Sequence, residues 1–196
     1  MRRLALLGAL VSFTGCAASQ VFVSKTYVRP QRIAVLPMSN ETNDLDGPGL
    51  ARQVLYNTLS ERGYQLVPLA EIDEKLKAQG FTDGGQLKAA TPQKIGKWVG
   101  ADGLFYTTLE EFNYIILGYY AQRTVKIEGH LYNGTTGEKL WAADRGWATR
   151  QVAVSQKEAE RAFAIQLAAK ALEKMSHAPL QFETREAVYR LISTLP

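Results

Sequence analysis

The chain has 196 residues, 46% of them hydrophobic and 10% aromatic, enough for one globular domain with a substantial core. Its formal charge of +4 is modest and half of it comes from Arg2 and Arg3; with no Lys/Arg cluster interleaved with aromatics, nucleic acid is not an expected partner. The single cysteine, Cys16, excludes an intramolecular disulfide, so stability has to come from apolar burial.

Met1-Arg2-Arg3 is a short basic start, Leu4 to Phe13 is an almost unbroken apolar run, and Thr14-Gly15 places small residues ahead of Cys16. That is the order of a secretory signal peptide. The run is too short for a bilayer, which takes about 20 apolar residues. Phe13-Thr14-Gly15-Cys16 resembles the lipobox of bacterial lipoproteins, with Phe13 bulkier than the usual Leu. The resemblance implies cleavage between Gly15 and Cys16, followed by a diacylglyceryl thioether and an N-acyl chain on Cys16. Two or more acyl chains give lasting attachment. Ala17 and Ala18 stand where inner-membrane lipoproteins carry Asp, which implies an outer-membrane, periplasm-facing anchor. The expected organisation is a cleaved leader over 1–15, a lipidated tether over 16–31 and a single globular α/β domain over 32–196.

Val21-Phe22-Val23 is extended in character within the tether, and Pro30 closes it. Arg32 to Pro37 is an apolar run with a proline stop, the pattern of a buried central strand. Ser39 to Gly49 is polar and turn-rich and reads as a loop. Leu50, Val54, Leu55 and Leu59 recur at helical spacing, with Arg62-Gly63 as the stop. Gln65 to Pro68 reads as a short strand, and Glu71 to Gln79 as a helix ended by Gly80. Thr91-Pro92 opens a further helix with Ile95, Trp98 and Val99 on its apolar face.

The period then changes to two. Gly103–Glu111, Tyr119–Tyr132 and Glu138–Thr149 read as an antiparallel meander. Val125, Ile127, Gly129 and Leu131 supply its packed face; Thr124, Lys126, Glu128 and His130 supply the wet one. Its first turn falls between Phe112 and Gly118. Asn133 to Gly137 makes the second. Ser155 with Glu158 forms a capping box for a long helix whose expected buried stripe is Phe163, Leu167, Ala171 and Met175. Glu183 to Ser193 reads as a last helix carrying Val188, Leu191 and Ile192. The fold class is α+β with an α/β-like start: β-α-β-α-α, a three-stranded antiparallel meander and two C-terminal helices, the mixed sheet being covered by helices.

Arg32 to Pro37 with Asn40-Glu41-Thr42, Trp98 to Gly103, Asn133 to Trp141 and Arg185 to Ile192 together resemble a family of bacterial lipoproteins of unknown function. The family includes a meningococcal surface antigen. The resemblance covers roughly residues 30 to 195, and its motifs are structural rather than catalytic. It implies a fold similar to the amino-terminal domain of TolB, to penicillin-binding-protein activator lipoproteins and to the curli-secretion lipoprotein.

Catalytic constellations are absent from the sequence pattern. His130 and His177 have no Cys, His or carboxylate at metal-ligand spacing, so neither metal nor cofactor is expected. Ser39 lacks a G-x-S-x-G setting. Glu110 and Glu111 point to opposite faces of a strand and cannot share one bond. Gly47-Pro48-Gly49 lacks the spacing of a phosphate loop, and Asp44-Leu45-Asp46-Gly47 lacks the downstream glutamate of a calcium loop.

The apolar turn region is the one anomaly. Phe112, Tyr114, Ile115, Ile116, Leu117, Tyr119 and Tyr120 crowd a segment that hairpins usually make polar. Either they dock on a partner or lipid, or the terminal helices fold over them as core. Ala159, Ala162, Ala168 and Ala169 on the long helix also permit close approach of a second copy. The expected function is a non-enzymatic, outer-membrane-anchored accessory lipoprotein that binds envelope protein partners in assembly, secretion or transport. A homodimer or homo-oligomer is admitted; the alternative is a subunit of an oligomeric secretion pore, and a third reading, ranked below it, is a small-ligand-binding or hydrolytic domain.

Overall fold

A computed structural model describes residues 20–117, 119–153, 155–175 and 180–196. In chain order the elements begin with β1 (Phe22–Val23), β2 (Arg32–Val35), β3 (Ser39–Asn40), α1 (Gly47–Glu61), β4 (Gln65–Leu66) and α2 (Leu69–Lys77). A 3-10 turn over Gly84–Ala89 then leads into α3 (Pro92–Val99). Three long strands follow, β5 (Gly103–Leu117), β6 (Tyr120–Asn133) and β7 (Lys139–Val152), and then α4 (Gln156–Met175) and α5 (Gln181–Ile192).

The described strands form one mixed sheet in the order β1-β7-β6-β5-β2-β4, with β3 also on β5. β2 runs parallel to β4 and to β5, while β5, β6 and β7 form an antiparallel meander. The fold is α+β, as its sequence pattern predicts.

Helices cover both faces of the parallel part, which is why β2 is apolar without alternation. Ile33 and Val35 belong to the core under α1 and α5, together with Leu55, Phe105, Val188 and Leu191. Ala34 and Leu36 belong to the other core, with Ile72, Leu76, Ile95 and Val99 of α2 and α3. Trp141 is fully buried in the first core, its ring 5.4 Å from that of Phe105, and its Nε1 donates to the Thr194 carbonyl at 3.1 Å. Arg52 of α1 is buried too. Its Nε and Nη2 both donate to the Val35 carbonyl, at 3.1 and 3.0 Å, and its Nη1 donates to Asp73. A buried guanidinium is tolerated here because its donors are satisfied.

Several expectations are corrected. Within the segment expected to be a tether, Phe22–Val23 joins the sheet, since β1 pairs antiparallel with β7. Asp102 ties down its end by accepting from the Gln31 and Arg32 amides. The polar stretch after β2 is not all loop, because Ser39–Asn40 pairs parallel with β5.

The long helix carries no buried apolar stripe among its described residues: Phe163 and Leu167 are each 48% exposed and Ile165 is 69% exposed. Ile165 sits two positions from both Phe163 and Leu167, on the opposite side of a 3.6-residue helix, so it cannot join the face those two share and the described apolar residues are split between two sides. Ala168 is exposed. The side chains of residues 159, 162, 169, 171 and 175 named for this helix lie outside the described residues, as does residue 177.

Candidate interaction surface

β5 outruns the strand expected over Gly103–Glu111: pairing with β6 continues to Leu117↔Tyr120, leaving two residues for the turn. The segment expected to be a hairpin tip is therefore mostly strand. Burial falls along β5 towards Leu117, and β7 keeps pace with β6 to Tyr120↔Val152. The result is a three-stranded arm.

A bulge between Leu109 and Glu111 decides which side chains the arm exposes. One extra residue in a strand flips the alternation beyond it. Before the bulge the odd positions Phe105 and Leu109 face the core; after it the even position Phe112 does. Phe112 is thereby buried, 7% exposed, and is not available for contact. Tyr114 packs partly buried against the same core, with Arg123 5.4 Å above its ring. Ile116 and Tyr120 are half-buried. Ile115, Leu117 and Tyr119 are the members left exposed, Leu117 at 68%. Val152, opposite Tyr120, adds a further exposed apolar side chain that the sequence reading missed.

Nearer the helices the face of β6 that carries Lys126, Glu128 and His130 is polar. Lys126 sits between Glu110 at 2.7 Å and Asp144 at 3.5 Å. The Glu110 hydrogen bond leads the effects that hold the Lys126 ammonium above the usual lysine range. Glu128 and His130 pair at 3.0 Å, a contact that alternation two residues apart on one strand should have revealed. Among the described residues no group of three or more His, Cys, Asp or Glu could hold a metal ion.

The other sequence candidates have structural work. Asp44 accepts from the Asp46 and Gly47 amides and so shapes the approach to α1. Pro48, expected in the loop ahead of the helix, lies in the first turn of α1. Gly15 and Cys16 lie outside the described residues. No described helix is long and apolar enough to cross a membrane.

The match to a family model places the chain among bacterial lipoproteins. It belongs to the GNA1162-like lipoprotein family, whose model matches residues 22–192. Lipoprotein NMB1124/NMB1162 of Neisseria meningitidis serogroup B is 28% identical over 142 residues, covering 69% of this chain and 65% of that protein. The chain thus spans just under two thirds of the length of the curated relative it matches. Among solved structures, lipoprotein GNA1162 from N. meningitidis superposes with a TM-score of 0.56 at 24% identity, over 72% of this chain and 99% of that one. The PelC dodecamer from Paraburkholderia phytofirmans superposes with a TM-score of 0.53 at 14% identity, over 91% and 96%. These likenesses are of fold.

Proposed function

We propose that the protein is a non-enzymatic accessory lipoprotein, anchored through acylated Cys16 to the periplasmic face of the outer membrane. Its arm docks a partner protein of the envelope through Ile115, Leu117 and Tyr119. The observation that carries this reading is the exposure of those three side chains at the far end of strands long enough to leave the core. Exposed apolar clusters on otherwise well-packed domains mark interaction sites. Family membership supports the anchor, and the leader supplies its chemistry. Two experiments test the two halves. Cys16→Ser should abolish palmitate labelling and move the protein out of the membrane fraction; continued labelling would overturn the anchor. Leu117→Asp should abolish co-purification of the partner while leaving the melting temperature unchanged.

A second reading, assembly into an oligomeric ring or pore, is favoured by the fold match to a dodecameric protein over most of the chain. Against a membrane barrel, such strands need about 9–11 residues with an apolar outward face. Here Arg123 is half-buried on one face of β6, while Lys126 and Glu128 occupy the other. Detergent-extracted protein sedimenting as a discrete large ring would favour this reading; a monomer or dimer would remove it.

A further inference from the structure

Outside the arm lies a cleft that no role yet uses. It measures about 530 Å³, within the range of small-ligand sites. It opens beyond the carboxyl end of β2, where the chain leaves the parallel part of the sheet, the place where open α/β sheets hold ligands. The floor is the polar face of β5 and β6, with Tyr106, Tyr132, Glu128 and His130; Glu41 and Lys88 stand in the walls.

The walls are built to stay in place. The 3-10 turn carrying Lys88 is fixed by Asp83, whose carboxylate accepts from Gly85 while Gln86 reaches back to the Thr82 and Asp83 amides. Gly84 brings that turn against the backbone after β2 so closely that a Cβ would lie 2.4 Å from the Met38 carbonyl carbon. The cleft is therefore a gap between two locked segments.

Its chemistry is selective. The rings of Tyr106 and Tyr132 meet edge to face at 5.3 Å, and the His130 ring lies 6.3 Å from Tyr132. Three rings on a polar sheet face offer flat apolar surface beside hydrogen-bonding groups. Burial, with a smaller contribution from Tyr132, pushes the Tyr106 hydroxyl up to about 12, so it remains a neutral donor. Both signs of charge are present: Glu41, Glu128 and Lys88 line the cleft, and Lys139 lies 5.8 Å from the centre of the Tyr132 ring. An anion would meet two carboxylates, and a cation would meet the Lys88 ammonium. What suits the cleft is a neutral ring with one C–H face for stacking and hydroxyls that donate to carboxylates.

We infer that this cleft binds a neutral saccharide, its pyranose ring stacked on Tyr132 beside Tyr106 and its hydroxyls held by Glu41 and Glu128. The site is separate from the arm, so the inference stands or falls independently of the partner-docking reading.

Calorimetry on the full chain in a zwitterionic detergent tests it, with chitotetraose for 2-acetamido sugars and cellotetraose for plain glucans. Saturable heat is expected with at least one tetrasaccharide. Glu128→Gln should weaken binding by at least threefold. Tyr132→Leu, which keeps apolar bulk but removes the ring, should weaken it by at least tenfold. Binding of chitotetraose alone assigns the ligand to amino-sugar glycans; equal binding of both assigns it to neutral glycans generally. No heat from either sugar at millimolar concentration overturns the inference. So does undiminished binding in both variants, or preference for a hexalysine peptide over both sugars. Because Glu128 is half-exposed, its variant keeps the test valid even if Tyr132→Leu fails to fold.

Discussion

Arg123 of β6 places its Nε 3.3 Å from a carboxylate oxygen of Glu183 on α5, and the Glu183 side chain is only 3% exposed. The same guanidinium lies over the ring of Tyr114. One residue therefore ties the arm to the C-terminal helix and positions an aromatic of the arm at the same time. Removing one partner of a buried ion pair leaves the other charge without compensation. Arg123→Met should destabilise the protein by about 3 kcal/mol in urea unfolding. Adding Glu183→Gln to that variant should restore a substantial part of the loss. A single variant as stable as the parent would show that the pair does not fasten the arm.

The sheet centre is the second point of sensitivity. Trp141 is fully buried against Phe105, and truncating such a side chain typically costs about 3–5 kcal/mol. Trp141→Ala should fall in that range by chemical denaturation. Trp141→Phe should cost less, because it keeps most of the packing and loses the donor to Thr194.

Two glycines should respond to alanine in opposite directions. At Gly84 a Cβ would meet the backbone of residues 37–39 at 2.4–2.5 Å, so Gly84→Ala should destabilise by about 2–3 kcal/mol through overpacking. At Gly49, in the first turn of α1, a Cβ meets nothing within 4 Å. Gly49→Ala should therefore stabilise by about 0.5 kcal/mol. Thermal melts of the two variants read both signs.

Acid should loosen the docking of the N-terminal segment. Hydrogen bonds from Ser24, then from Thr26, hold the Glu138 carboxyl below the usual carboxylate range. A depressed folded value means the stabilisation is present above the ordinary value and is lost as pH falls through the folded one. Amide exchange at residues 24–26 should accelerate in that acid window. In Glu138→Gln it should be fast at neutral pH and change little with acid.

Much of the fold was legible because local patterns and tertiary demands agree. The unbroken apolar run of β2 is buried on both faces; Thr91-Pro92 begins α3, and Gly100, at φ +72°, ends it. The alternation of Val125, Ile127 and Leu131 against Lys126, Glu128 and His130 appears as drawn. The arm was not legible in full, because the bulge beside Glu110 reverses the alternation and is set by pairing across strands. Phe112 therefore went to the core while Leu117 did not. The long helix misled for a different reason: helical spacing of Phe163 and Leu167 gave a stripe, while Ile165 between them already indicated a scattered pattern. The cleft was invisible in the sequence, since the residues that form it come from five separate segments.

The arm's exposed apolar end is proposed to contact another envelope protein. The direct test is in-cell photo-crosslinking from positions 115, 117 and 119, with control probes at the exposed positions Ser60 and Lys77. The account predicts one discrete crosslinked partner from the arm positions and none from the controls. Arm probes that yield nothing beyond the controls, or only a ladder of self-crosslinks, would contradict it.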